Sequence, residues 1–123
     1  MQSGTKIITD APVDNHGRGE AFSPTDLLSA SLASCMLTIM GIKARSLNID
    51  IDNTRCSVTK IMAADPRRVA EIVISFQFPK KYTQKEQIIL ERAALTCPVY
   101  YSVNEDLKKT IDFGWAVEEK TEA

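Results

Sequence analysis

Histidine is almost missing from this chain: His16 is the single one in 123 residues. No second histidine or cysteine stands near it at metal-ligand spacing, which argues against a zinc centre. Basic charge is not in surplus. Fifteen Lys and Arg meet sixteen Asp and Glu, for a net charge of −1. The uncompensated positive surface of a sequence-independent nucleic-acid binder is therefore excluded. Cysteines are few, odd in number and far apart, at positions 35, 56 and 97, so they read as thiols and not as a stapling framework. The longest apolar stretch, Leu27 to Ile42, is broken by Ser29, Ser31, Ser34 and Thr38, too polar and too short to favour a membrane span. Met1 to Lys6 lack the basic-then-apolar order of an export signal, and a cytoplasmic location is expected. What remains is ordinary. With 44% hydrophobic and 25% charged residues, the chain is expected to fold as one domain over residues 1–123.

Patterning supplies the elements. Thr5 to Thr9 is a short β-like run, followed by a polar segment of twelve residues, Asp10 to Ala21, that holds His16-Gly-Arg-Gly. Gly17 and Gly19 lack the third glycine and preceding strand of a dinucleotide fingerprint. A loop presenting His16, Arg18 and Glu20 over a helix N-terminus is the functional reading; a solvated loop is the plain one. Ser23-Pro24-Thr25-Asp26 then announces a helix to about Arg45 or Ser46, capped by Ser23 and with Asp26 at the positive end of the dipole. Leu28, Leu32, Cys35, Ile39 and Ile42 form its apolar stripe, and Leu27, Met36, Leu37 and Met40 widen it. Ile49 and Ile51 begin a strand that continues through Cys56 and Val58, with a bulge or bend near Asp52 to Thr54 where the phase changes. After a turn at Asp65-Pro66, Ala70, Ile72, Ile74, Phe76 and Phe78 alternate as its hairpin partner. A capping box at Thr83 to Glu86 opens a helix carrying Ile88, Ile89, Ala93 and Leu95. A short helix restarts at Pro98, and Ile111, Phe113, Trp115 and Val117 alternate as a last strand. The order predicts an α+β fold with an antiparallel sheet. Because the long helix is apolar on most sides, a homodimer packing that helix against its copy is expected.

The thiols carry the chemistry. Cys97 directly precedes a helix-starting proline, where unpaired N–H groups lower a thiol's pKa and favour the nucleophilic thiolate; a small buried cap is the plain alternative. Cys35, mid-helix on the apolar stripe, reads by itself as core. Cys56, on the strand face of Val58, reads as structural.

Two segments together carry a resemblance. Phe22-Ser-Pro-Thr-Asp-Leu-Leu-Ser-Ala-Ser-Leu-Ala-Ser-Cys35-Met and Ala94-Leu-Thr-Cys97-Pro98-Val99, with cysteines 62 positions apart, resemble the two signatures of the osmotically inducible protein C and organic hydroperoxide resistance family. The likeness runs from about Ser3 to Trp115. It implies an intertwined homodimer with a strongly curved sheet around central helices, which reduces organic hydroperoxides at the subunit interface. By resemblance Cys35 is the peroxidatic cysteine and Cys97 the resolving one, bridging as a disulfide that an external dithiol reduces. No bound cofactor or metal is implied, and no membrane or nucleic-acid partner. The family's ionising arginine lies on an N-terminal strand pair ahead of the position matching Met1, and a carboxylate directly after the proline holds it. Here Thr25 follows the proline, so Asp26 and Arg18 are the candidate substitutes. The alternative is a dimeric, redox-sensitive binding protein for a small apolar or acyl-like ligand, without turnover.

Overall fold

The long helix, α1, runs from Pro24 to Ser46 in a computed structural model that describes residues 1–116. Three residues fix its start. The Ser23 hydroxyl accepts the Asp26 N–H at 3.0 Å, the Asp26 carboxylate accepts the Ser23 N–H at 3.0 Å, and Pro24 enters with φ already set. Its buried face is Ser29, Leu32, Ala33, Met36, Met40 and Ala44. That face is rotated from the expected stripe: Leu32 is shared, Cys35 and Ile39 are half-buried, and Leu28 and Ile42 are 37% and 63% exposed. By length and composition alone α1 is able to cross a membrane, which revises the reading of this stretch as too short and polar. In the fold it packs its buried face into the protein core.

The sheet has three strands in the order β1 (Arg55–Ala63), β2 (Arg68–Gln77) and β3 (Lys108–Gly114). β1 and β2 form the expected antiparallel hairpin, with Val58 opposite Ile74 and Cys56 opposite Phe76. Ile49 and Ile51 precede β1 without joining it, because a turn with Asn53 at φ 70° intervenes. The register shift sits at Ile61/Met62, at the other end of the strand from the expected bulge. β3 lies parallel to β2, with Ile74 opposite Ile111 and Phe76 opposite Phe113. The sheet is thus mixed, and the expectation of an antiparallel one is corrected. The cause is the connection: α2 (Gln84–Ala94) and α3 (Pro98–Ser102) form a crossover that returns the chain to the end where β2 began. Gly114 ends β3 where a Cβ would stand 2.6 Å from the Phe76 carbonyl oxygen.

Thr83 caps α2 through the expected box. Its buried residues are Leu90 and Ala94, whereas Ile88 and the C-cap residue Leu95 are 43% and 39% exposed. Leu32, Met36 and Met40 of α1, Ile72, Ile74 and Phe76 of β2, and Leu90 of α2 have no exposed surface, and they form the centre of the core. At one end of the sheet Trp115 stacks on Phe78, with ring centroids 3.9 Å apart, and donates its indole N–H to Glu91 of α2 at 2.7 Å. Val117, read as part of the last strand, lies outside the described residues.

Thr5 to Thr9 is not a strand in the fold. It runs without a ladder partner, and Ile7 and Ile8 are 66% and 85% exposed; so little burial does not offset the cost of ordering. The polar loop after it is organised by one carboxylate: Asp10 accepts the N–H groups of Arg18 and Glu20. Gly17 lies so close to Ala11 that a Cβ would meet its carbonyl oxygen at 1.7 Å.

Candidate active site

Two elements bring thiols together. Cys35 stands in the middle of α1, half-buried. Cys97 stands at the other side of the junction, in the turn between α2 and α3. There α2 ends, Pro98 takes the first position of α3, and Cys97 becomes the N-cap residue, with its sulfur accepting the Tyr100 N–H at 3.2 Å. Its side chain has no exposed surface. The Cys35 thiol lies within hydrogen-bonding reach of the Cys97 thiol.

The electrostatics of Cys97 run against the expectation from its position. Burial pushes the Cys97 thiol up, the neighbouring Cys35 thiol pushes it further, and the Tyr100 and Val99 N–H groups only partly offset this. The positive end of a helix is weak here because α3 is a single turn of five residues. Cys97 is therefore held as the protonated, inaccessible thiol of the pair. Burial alone acts on Cys56, and it too raises that thiol's pKa.

Asp26 and Arg18 are not joined to the thiols. Nine residues separate Asp26 from Cys35 on one helix, two and a half turns, which puts the two on opposite faces. Asp26 instead closes the α1 capping box and pairs with Lys60 of β1 at 2.9 Å. That pairing, followed by the Ser23 N–H, holds the Asp26 carboxyl below its ordinary value. Lys60 also donates to Ser23 Oγ and Thr25 Oγ1, at 3.0 and 2.7 Å. Sequence reasoning missed this lysine, although a charge at an inward position between Val58 and Met62 was the available signal. Arg18 lies on the exposed loop, and no hydrogen bond or ion pair ties its guanidinium to either cysteine among the described residues.

A groove of about 490 Å³ runs between α1 and α2. Ile39, Ile42, Ile89 and Ala93 give it an apolar lining, with Lys43 and Arg92 as its charged members. It reaches the thiol pair in sequence terms at two points: Ile39 is one helical turn from Cys35, and Thr96, which also lines it, directly precedes Cys97.

Comparison with known proteins bears on the family and the fold. Residues 17–112 match the family described as OsmC-like protein. A solved candidate osmotic stress induced and detoxification response protein from Psychrobacter arcticus 273-4 is 57% identical, with a TM-score of 0.88 over 92% of this chain and 82% of that one. An organic hydroperoxide resistance protein from Legionella pneumophila is 15% identical (TM-score 0.70, 92% and 84% covered). A candidate organic hydroperoxide resistance protein from Vibrio cholerae, solved with captopril in one of its active sites, is 14% identical (TM-score 0.71, 91% and 78% covered). The last two share the fold. No curated protein matches the chain.

Proposed function

Because the chain belongs to the OsmC-like protein family, we propose that it is a thiol peroxidase that reduces organic hydroperoxides through Cys35 and Cys97. The observation that carries this reading is the contact between a half-buried Cys35 and a fully buried Cys97. Cys35 is the sulfur that a substrate can reach. As thiolate it attacks the terminal peroxide oxygen; the O–O bond breaks, the alkoxide leaves and is protonated to the alcohol, and Cys35 becomes a sulfenic acid. Cys97 then loses its proton and attacks the Cys35 sulfur, water departs, and the disulfide forms. An external dithiol returns both thiols through a mixed disulfide. The apolar groove between α1 and α2, whose lining includes Ile39 and Thr96, sequence neighbours of the two cysteines, supports an alkyl-bearing peroxide over hydrogen peroxide.

The working unit in this reading is a homodimer, supported by the apolar side chains that α1 leaves exposed, Leu28 and Ile42. Sedimentation showing a stable monomer at micromolar concentration would remove that part.

Consumption of cumene hydroperoxide with dihydrolipoamide as reductant tests the chemistry. Cys35→Ser abolishes turnover, Cys97→Ser allows one oxidation and then drifts towards sulfinic acid, and Cys56→Ser turns over nearly as the parent does. Mass spectrometry after one peroxide pulse finds the first oxygen on Cys35; finding it on Cys97 with Cys35 untouched would overturn the assignment. A second reading, a binding protein for a small apolar ligand, rests on the groove alone. It is the one left standing if Cys35 does not react with peroxide at all.

A further inference from the structure

Cys97 has a second job in the structure besides its place in the thiol pair: its sulfur is the cap of α3. The Tyr100 N–H points at Cys97 Sγ at 3.2 Å, the Tyr101 N–H reaches the Cys97 carbonyl at 3.3 Å, and the Val103 N–H reaches Val99 at 3.3 Å. Besides the cap, Val99 and Tyr100 pack half-buried against the core and Ser102 Oγ donates to the Pro98 carbonyl at 2.8 Å. α3 has five residues, none of them buried, and Tyr101 is 71% exposed. From β3, the Lys109 ammonium lies 5.1 Å from the centre of the Tyr100 ring. A helix this short has no stability of its own and depends on its cap.

The partner thiol sits on a very different support. Cys35 lies in the middle of a 23-residue helix, between the buried residues Ala33 and Met36. Cys35 and Cys97 are both free thiols, so their sulfurs are well outside the roughly 2.05 Å of an S–S bond. One sulfur therefore has to travel when the bond forms. Cys35 can turn only about its own side chain, because its helix is locked into the core; Cys97 sits on a single-turn support that can give, and its movement carries the sulfur away from the Tyr100 N–H.

We infer that the Cys35–Cys97 disulfide uncaps α3, so that oxidation opens the turn Pro98–Ser102 and exposes the bridge to its reductant. In the reduced protein the turn is closed and Cys97 is sealed; in the oxidised protein the same turn is loose where the incoming dithiol has to reach. The device makes the oxidised site more accessible than the reduced one.

The inference rests on the bridge of the proposed reaction, but the bridge can be made without a peroxide. Diamide converts two thiols to one S–S bond, and its N=N double bond takes up the two electrons and two protons as two N–H bonds. Hydrogen exchange is followed by mass spectrometry on the full chain carrying Cys56→Ser, reduced and diamide-treated, with the bridge verified by peptide mass. Amides of residues 100–103 are expected to exchange roughly fivefold faster or more after oxidation, the scale of one lost cap, while those of α1 around Cys35 stay as they were. Cys97→Ser, which caps but cannot bridge, should remain protected under diamide. Cys97→Ala, which does neither, should exchange in the reduced state as fast as the oxidised parent. Equal protection of residues 100–103 in the two redox states, or a Cys97→Ala variant as protected as the parent, overturns the inference; so does failure of the pair to bridge. Absence of peroxidase turnover alongside oxidation-dependent opening would instead sink the proposed function and leave this device intact.

Discussion

Replacing Lys60 by methionine isolates the polar clasp that fixes the start of α1, and with it the helix that carries Cys35. Methionine keeps most of the apolar stem of the lysine and removes only its ammonium. Three contacts go: Ser23 Oγ at 3.0 Å, Thr25 Oγ1 at 2.7 Å and the Asp26 carboxylate at 2.9 Å. The cap itself survives, because Ser23 Oγ still accepts the Asp26 N–H. Each hydroxyl contact is worth about 0.5–1.5 kcal/mol net. The ion pair adds only about 0.5 kcal/mol, discounted because the Asp26 side chain is 40% exposed. The sum is about 2 kcal/mol, or a melting temperature lower by about 5–10 °C for a chain of this length. The assay is urea unfolding followed by circular dichroism at one fixed protein concentration, since association would shift the midpoint. The pH dependence has a definite sign. Lys60 holds the Asp26 carboxyl below its ordinary value of 3.8, so the ion-pair part of the stability is complete above that value. It is lost as pH falls through the lower, folded value. The gap between parent and Lys60→Met is thus flat from about pH 5 to pH 8 and narrows in acid. In a double-mutant cycle with Asp26→Asn the two changes couple by about 0.5 kcal/mol. A gap under about 0.5 kcal/mol, or one that widens on acidification, would refute this account.

Trp115→Phe keeps a ring over Phe78 but deletes the donor to Glu91; a loss of about 1–2 kcal/mol is expected in the same unfolding assay, as for a hydrogen bond to a charged acceptor. Gly17→Ala forces a Cβ onto the Ala11 carbonyl oxygen, so the loop between Asp10 and Ala21 has to open, at about 1–2 kcal/mol; an unchanged thermal midpoint would mean that the loop does not close over Ala11.

The helix starts were legible because capping is local: Ser23 with Asp26 and Thr83 with Glu86 act within four residues, and both boxes are present. The faces were less so. α1 has apolar residues nearly all round, and α2 has Ile88, Ile89 and Leu90 in succession; in such runs the partner elements choose the buried face. They chose Met36 and Met40 over Ile42, and Leu90 over Ile88. Strand direction is equally non-local. The alternation of Ile111 and Phe113 marks β3 but cannot say which way it lies beside β2, a matter settled by the two-helix crossover. At the thiols, the sequence placed Cys97 at a helix start and left a reactive thiolate and a small buried cap both open; only the fold shows it fully buried, and burial reverses the direction of its pKa shift. Lys60 joins a clasp 34 to 37 positions upstream in the chain, at Ser23, Thr25 and Asp26. Only folding brings those residues within reach.

The indole of Trp115 also makes the molecule its own reporter. It is the sole tryptophan in the chain, so selectively excited emission comes from one place, the junction where α2 meets the end of the sheet. The ring stacked on Phe78 and the carboxylate of Glu91 at its N–H give that emission a defined environment. Undocking of α2 lets water reach the indole and moves its spectrum to the red, whatever happens one connection later at Cys97. Fluorescence on this chain therefore reads the attachment of α2, and exchange at residues 100–103 reads the turn beyond it. Two neighbouring events can be timed separately in one sample without attaching a dye.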